Sequence, residues 1–332
     1  MMSLTENSRA KLKKITEFSV KILFVVLGCI ILYRKIFGNE QNMALWDDVA
    51  ACFGSHKSVF LICIALFLMI FNLFLEAVKW QKVISPIESV PMSRAIPAIF
   101  TGITAGMFFP NRLGDFIGRV FVLEKGSRIK GSIATMIGTF AQLVVTLCFG
   151  CIAFIFFIPS KHIIINVLIA ITIIFILVFL FLNIKFLRHI QKIIPKRFRE
   201  KTEHYIGVFS DYSRRDLAVL LLWSAARYLV YSFQFVLLIW AFGIPMTYFQ
   251  AIVPIAVTYF MMTVIPFVTI LEIAVRGSVS ILVFEQWMMS IGICNNLSIM
   301  VFTASSLLWM INLGLPALIG IFNVNKIKIF RR

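Results

Sequence analysis

The stretch RAIPAIFTGITAGMFFPNRLGDFIGR, residues 94–119, carries the pattern from which the rest of the fold is inferred. A second, altered copy, QAIVPIAVTYFMMTVIPFVTILEIAVR, occupies residues 250–276. Each copy opens with a polar residue followed by Ala-Ile, and a proline (Pro110 or Pro266) comes sixteen residues after that polar residue. A shared order of features at such a distance along the chain predicts an internal repeat.

Each copy ends in an acid followed four residues later by an arginine: Asp115 and Arg119, then Glu272 and Arg276. On a helix this spacing places both side chains on one face, so the simplest interpretation is an ion pair worth about 0.2–0.5 kcal/mol. Their position after a short apolar segment also suits a lipid phosphate, held by helix N-terminal amides and by guanidinium groups, with Arg112 nearby. We therefore predict all five as substrate-binding residues, with the plain ion pair as the alternative.

The composition is that of a membrane protein. Hydrophobic residues make up 60% of the 332 residues, against about 45–50% in soluble proteins. Apolar runs of about 20 residues recur along the chain, which predicts an all-α, polytopic integral membrane helix bundle. The net charge of +17 lies in loops beside these runs, where it indicates a cytoplasmic side and contact with anionic lipid rather than nucleic acid.

The first apolar run, residues 18–37, follows a basic N-terminus and is expected to be an uncleaved span with the N-terminus inside. Residues 38–57 are predicted as an external loop. The region 185–215 holds nine Lys and Arg residues and is predicted to be cytoplasmic. Further spans are predicted at residues 58–78, 132–158, 163–186 and 217–242.

Residues 95–110 are apolar but short, and they are interrupted by Pro97, Gly102, Gly106 and Pro110. Basic loops flank the segment on both sides, so we expect a broken or re-entrant segment that enters and leaves on the cytoplasmic side. Irregular backbone at membrane depth is tolerated only inside protein or beside a wet cavity, which predicts a site there.

The second copy leaves two topologies open. If it is also re-entrant, the chain has seven spans, an external C-terminus and an inverted repeat. If residues 248–270 cross fully, there are eight spans and the basic C-terminus lies inside, which the positive-inside rule favours. The chain is then one transmembrane domain with an extra N-terminal part (residues 1–57), two half-repeats (58–186 and 217–332) and a basic loop (187–216).

Arg227 lies well inside an apolar run. Because an arginine at the centre of a span costs at least about 2.5–3.5 kcal/mol, it should face the bundle interior and a partner. Glu272, Glu285, Asp115 or an anionic ligand are the candidates. Glu76, Lys79 and Trp80 are interpreted as an interfacial set. Two interpretations stay open for four polar residues, an interhelical hydrogen bond or a position at the end of a span: Glu76, Gln142, Gln234 and Asn312.

No nucleotide-binding, serine-hydrolase or zinc-protease motif is present, and the four histidines lack metal-ligand spacing. We therefore expect no catalytic residues, no metal and no cofactor.

The run from Phe109 to Arg119 resembles an element of the lysylphosphatidylglycerol synthase transmembrane-region family, typically Pro-Gly-Arg-Leu-Gly-Glu-x-x-Arg. The matching residues are Pro110, Arg112, Leu113, Gly114 and Asp115, while Asn111 replaces a glycine. The family's second, glycine-rich element is matched only by Pro266, Glu272 and Arg276. This resemblance implies a bacterial inner-membrane domain that flips a lipid. Its best-known members also carry a soluble aminoacyl-transferase domain, which we do not expect within these 332 residues.

The function predicted is a flippase-like translocase that moves or binds an anionic, phosphate-containing phospholipid or glycolipid. The alternative is a non-catalytic accessory or transferase subunit of glycolipid or polyprenyl-lipid assembly, which would bind the lipid without moving it.

Overall fold

The computed structural model describes residues 41–108, 113–124, 127–158, 162–186, 207–265, 272–293 and 296–324, and every regular element in these ranges is helical, as predicted. In chain order the helices are α1 (Gln41–Gly54), α2 (His56–Ile84), α3 (Met92–Phe108), α4 (Leu113–Val120), α5 (Arg128–Phe157), α6 (Ile163–Leu182), α7 (Arg214–Ala241), α8 (Tyr248–Val264), α9 (Glu272–Ser290), α10 (Ser298–Trp309) and α11 (Leu315–Val324). A π turn, Met310–Gly314, joins α10 and α11 into one continuous helix. Short 3-10 turns cover Ile184–Phe186 and Gly207–Asp211.

Five helices in the described ranges are long and apolar enough to cross a membrane: α2, α5, α6, α7 and the joined α10–α11. The first four coincide with predicted spans. The predicted span at residues 18–37 and most of the basic loop lie outside the described residues. Helix α8 has 17 residues and α9 has 19, and neither is among these five, so the choice between seven and eight spans stays a prediction.

The predicted external loop contains a helix. Residues 41–54 form α1, which packs against α2 and α10. Val49 is buried there, and the Phe53 ring meets the Phe242 ring edge-on at 5.7 Å between centroids. The helix forms here because these apolar side chains have a surface to pack on, and its external position stays a prediction.

The segment around residues 95–110 folds as a helical hairpin. Helix α3 runs unbroken through Pro97, Gly102 and Gly106 to Phe108, and the chain then returns along it as α4. The expectation of a break or reversal within residues 95–110 was therefore wrong, because the chain doubles back only after Phe108. The two helices touch at glycines: a Cβ on Gly118 would lie 2.9 Å from the Cα of Gly102. This contact brings α4 against α3 and positions its acidic and basic side chains.

The second copy repeats this local design. Helix α8 also has 17 residues and an internal proline, Pro254. In both helices a threonine one turn later donates its hydroxyl to the proline's carbonyl oxygen: Thr101 to Pro97 at 2.9 Å, and Thr258 to Pro254 at 2.7 Å. These are parallels that an internal repeat requires, and the division of the chain into two halves stays a prediction.

The packing places α2 and α7 against each other in the middle of the bundle. Helix α3 packs on α11, and α8 packs on α5, so each 17-residue helix contacts a helix that is distant in sequence. The Thr104 hydroxyl donates to the carbonyl oxygen of Ala317 at 2.8 Å, across the first of these contacts. The polar residues of the interior lie between these packed helices.

Candidate functional site

A buried glutamate lies at the contact of α2 with α7. Glu76 is 4% exposed, and three cations surround its carboxylate. Lys79 Nζ lies 2.8 Å from Oε2, Arg227 Nη1 lies 2.7 Å from Oε2, and Arg119 Nη1 lies 2.5 Å from Oε1. Helices α2, α4 and α7 each supply one or more of these groups. With Asp115, we call them the Glu76 network.

The interpretation of Glu76, Lys79 and Trp80 as an interfacial set was wrong, because all three are buried. Helix α2 continues to Ile84, so this turn lies inside the bundle, where the Trp80 indole donates to the Thr135 hydroxyl at 3.1 Å. A signal was present in the sequence. Asn72, Glu76 and Lys79 follow one another at helical spacing and form a polar stripe on one face of an apolar helix.

Asp115 and Arg119 form the predicted pair, and the pair is more than a surface contact. Arg119 donates from Nε to Asp115 Oδ1 at 2.8 Å and from Nη2 to Oδ2 at 2.6 Å. Its remaining Nη1 is bound to Glu76. Each nitrogen of this guanidinium has a protein partner, so Arg119 ties the α3–α4 hairpin to α2.

Arg227 faces the bundle interior, as predicted, but its partner is Glu76. Asp115, Glu272 and Glu285 were wrong candidates, because the tight packing of α7 on α2 brings Arg227 to the polar stripe of α2. Its Nε donates to Asn72 Oδ1 at 3.0 Å, and its Nη1 binds Glu76. Its Nη2 has no partner in the described part of the chain, and 28% of the side chain is exposed.

A pair of asparagines sets the orientation of Arg227. Asn72 donates from Nδ2 to Asn312 Oδ1 at 3.0 Å, which leaves its own Oδ1 for Arg227. Asn312 lies in the π turn, and its Nδ2 donates to the Leu308 carbonyl at 3.1 Å. A π turn inside a helix often marks a functional site. Here it presents Asn312 to α2.

The second acid–arginine pair lies at the start of α9. Arg276 Nη2 is 2.8 Å from Glu272 Oε1, and its Nη1 donates to the Tyr231 hydroxyl at 3.3 Å. Glu272 is 1% exposed and Arg276 9%. The Tyr259 ring lies 5.2 Å from the Tyr231 ring, between centroids. These aromatic groups pack beside the pair.

A cavity of about 300 Å³ opens between the two groups of charges. Its walls include Asn72, Gln142, Arg227, Tyr231, Glu272, Arg276 and Asn312. Small-molecule sites typically begin at about this volume. A chamber lined by two arginines, amides and tyrosine hydroxyls, with the Glu272 carboxylate paired to Arg276, is suited to an anion.

The structure thus brings most predicted site residues together. Arg227, Glu272 and Arg276 line the cavity, while Asp115 and Arg119 lie behind Arg227 and reach it through Glu76. Arg112 lies outside the described residues. The predicted hydrogen bonds between helices are present: Gln142 donates to the Ser224 carbonyl at 3.3 Å, and Gln234 to the Ala65 carbonyl at 2.8 Å.

Comparison with known proteins gives one family. The family model described as "Lysylphosphatidylglycerol synthase TM region" matches residues 19–288. No curated protein matches the chain. No solved structure matches it either. The matched region contains both acid–arginine pairs, Glu76 and Arg227.

Proposed function

Because the chain belongs to the lysylphosphatidylglycerol synthase transmembrane-region family, which ties it to lipid metabolism in a membrane, we propose that it is a translocase for a phosphate-containing lipid. The observation that carries the proposal is Arg227. This arginine lies in the middle of a spanning helix, lines the cavity and keeps Nη2 without a partner in the described ranges.

The chemistry of the cavity suits a phosphate. A guanidinium offers planar N–H donors that match phosphate oxygens, and such charge-assisted bonds are strong where water is excluded. Asn72 and Glu76 fix two nitrogens of Arg227 and so direct the third. Arg276 adds a second positive group on another wall. The head group is therefore bound by preoriented donors.

The size and surroundings of the cavity favour a lipid. About 300 Å³ holds a head group but not two acyl chains. The bundle around it exposes large apolar side chains, such as Phe67 on α2 and Leu222 on α7, for which lipid tails are the natural solvent. A lipid with its head group in the cavity and its tails outside the bundle would contact both the polar cavity lining and the apolar outer surface.

Movement is proposed from the two hairpin-like copies. Each pairs an internally proline-containing helix with a following acid–arginine turn, and each contacts a helix of the other half. In transporters with repeated halves, the two halves rock around a central site. Since no nucleotide-binding motif occurs in the sequence, the transfer is downhill or coupled to an ion. We place the protein in a bacterial inner membrane with its N-terminus in the cytoplasm.

The test is lipid exchange in liposomes. Purified protein is reconstituted with fluorescent phosphatidylglycerol, and a membrane-impermeant quencher measures how fast inner-leaflet lipid reaches the outside. The wild-type protein should accelerate the exchange over empty liposomes. Arg227→Lys keeps the charge but loses the planar fork, so we expect roughly tenfold slower exchange from folded protein. Arg215→Lys, an exposed arginine at the start of the same helix, is the matched control and should exchange normally.

Two outcomes contradict the proposal. Wild-type protein that exchanges no label beyond empty liposomes is not a translocase. If it still binds phosphatidylglycerol in an Arg227-dependent way, the protein is the accessory, lipid-holding subunit instead. Unchanged exchange by folded Arg227→Lys would remove the assigned binding role.

A further inference from the structure

The charges of the Glu76 network do not balance. The network contains three cations, Lys79, Arg119 and Arg227, and two carboxylates, Glu76 and Asp115. The Glu272–Arg276 pair, on another wall of the cavity, contributes one charge of each sign. The network therefore carries one positive charge in excess. An uncompensated charge in a low-dielectric interior is costly, so this site is built for a counter-charge.

The excess charge is directed to the cavity. Arg227 is the one member of the network among the cavity walls in the described ranges, and it is its most exposed cation, at 28% against 3% for Lys79 and 8% for Arg119. Lys79 is turned to Glu76, and Arg119 is fully engaged by Asp115 and Glu76. The missing negative charge thus belongs next to Arg227.

We infer that the site selects its lipid by valence: it takes a head group with a single net negative charge, such as a phosphodiester, over both neutral and doubly charged head groups. This inference rests on the site of the proposed function and names the class of its substrate. One negative charge neutralises the Glu76 network. A neutral head group leaves the excess in place, and a dianion reverses it, next to the carboxylate of Glu272.

The inference is tested with short-chain lipids that share their tails. Binding of dihexanoyl phosphatidylglycerol (one negative charge), phosphatidic acid (close to two at pH 8) and phosphatidylcholine (net zero) is titrated by calorimetry on purified protein in detergent. The wild type should bind phosphatidylglycerol roughly tenfold more tightly than phosphatidylcholine, and more tightly than phosphatidic acid. Tightest binding of phosphatidic acid would overturn the inference.

Two variants change the charge without touching the cavity walls. Lys79→Met brings the excess to zero and should abolish the preference for phosphatidylglycerol over phosphatidylcholine. Asp115→Asn doubles the excess and should make phosphatidic acid the preferred ligand. The double variant restores the wild-type count and should regain the wild-type order. Glu124→Gln, at a carboxylate 68% exposed on the surface, should leave the order unchanged.

The double variant separates charge from other effects. If Lys79→Met fails to fold, Asp115→Asn alone still decides, because unchanged preference in that variant overturns the inference. A double variant that folds but does not regain the order also overturns it. The exchange assay on the same proteins keeps the two proposals apart. If the protein binds by head-group charge but exchanges no lipid, the translocase proposal fails and the inference stands. If it exchanges lipid without a preference for head-group charge, the inference fails and the translocase proposal stands.

Discussion

At the scale of residues, Arg119 and Arg227 have different roles because they have different neighbours. Both bind Glu76, one from α4 and the other from α7. Asp115 occupies the rest of Arg119 through two parallel hydrogen bonds, whereas Asn72 occupies only the Nε of Arg227. The first arginine therefore joins helices, and the second retains a donor for a ligand.

This difference predicts unequal effects of removing charges on stability. Arg227→Ala leaves Glu76 with Lys79 and Arg119, so folded yield should remain close to that of the wild type. Glu76→Gln leaves three cations, two of them buried, facing one carboxylate, and breaking a buried pair in this way typically costs about 3–5 kcal/mol. Folded yield after detergent extraction, with the thermal midpoint, measures both. A greater loss in Arg227→Ala would contradict the assignment of Glu76 as the centre of the network.

The residue scale is also where prediction from sequence reached its limit. Arg227 lies in the middle of an apolar run. A charge at such a position is costly to bury alone, so the sequence predicts a buried partner. The identity of that partner depends on which helices meet. Glu76 lies far from Arg227 in the chain, and only the packing of α2 on α7 brings them together.

At the scale of elements, the α3–α4 hairpin depends on close approach of backbones. A Cβ on Gly118 would lie 2.8 Å from the carbonyl oxygen of Thr101 and 2.9 Å from the Cα of Gly102, both of them backbone atoms that cannot move aside. Small residues at such contacts allow helices to pack tightly in membranes. The same contact holds Arg119 at Glu76.

Gly118→Ala should therefore destabilise the protein, by about 1–3 kcal/mol as for other overpacked sites. Because Arg119 is on the same short helix, lipid exchange should fall as well. Gly54→Ala is the matched control, since nothing lies within 4 Å of a Cβ at that position. Thermal unfolding in detergent compares the two. Equal midpoints would show that the hairpin is not held by this contact.

Helix positions were largely predictable because span length and flanking charge are local properties. The continuity of α3 through Pro97 was not predictable from the local sequence. Proline removes one backbone donor, yet Thr101 binds the Pro97 carbonyl, and α4 and α11 pack on either side. The packing that supports Pro97 includes a helix distant in sequence, so the residues around Pro97 do not predict it.

At the scale of the whole molecule, the basic loops predict its orientation. A cysteine at Ser127 or Thr202, in a cysteine-free background, should resist an impermeant thiol reagent in intact cells, because both positions are assigned to the cytoplasm. Labelling at both would reverse the spans described above. The same measurement at Asn325 distinguishes eight spans, where it is protected, from seven, where it reacts.

The π turn at Met310–Gly314 has a consequence for which changes in chain length the last helix tolerates. Its hydrogen bonds close over one residue more than those of an α turn, so the turn accommodates one extra residue while the helix on each side keeps its rotational phase. Deleting Leu313 should therefore restore an α turn and leave Ala317 and Gly320 against α3. Inserting one alanine after Leu315 should instead rotate Ala317 and Gly320 by about 100° away from α3. Extracted yield should stay near that of the wild type for the deletion and fall for the insertion, and equal yields would contradict this role of the π turn.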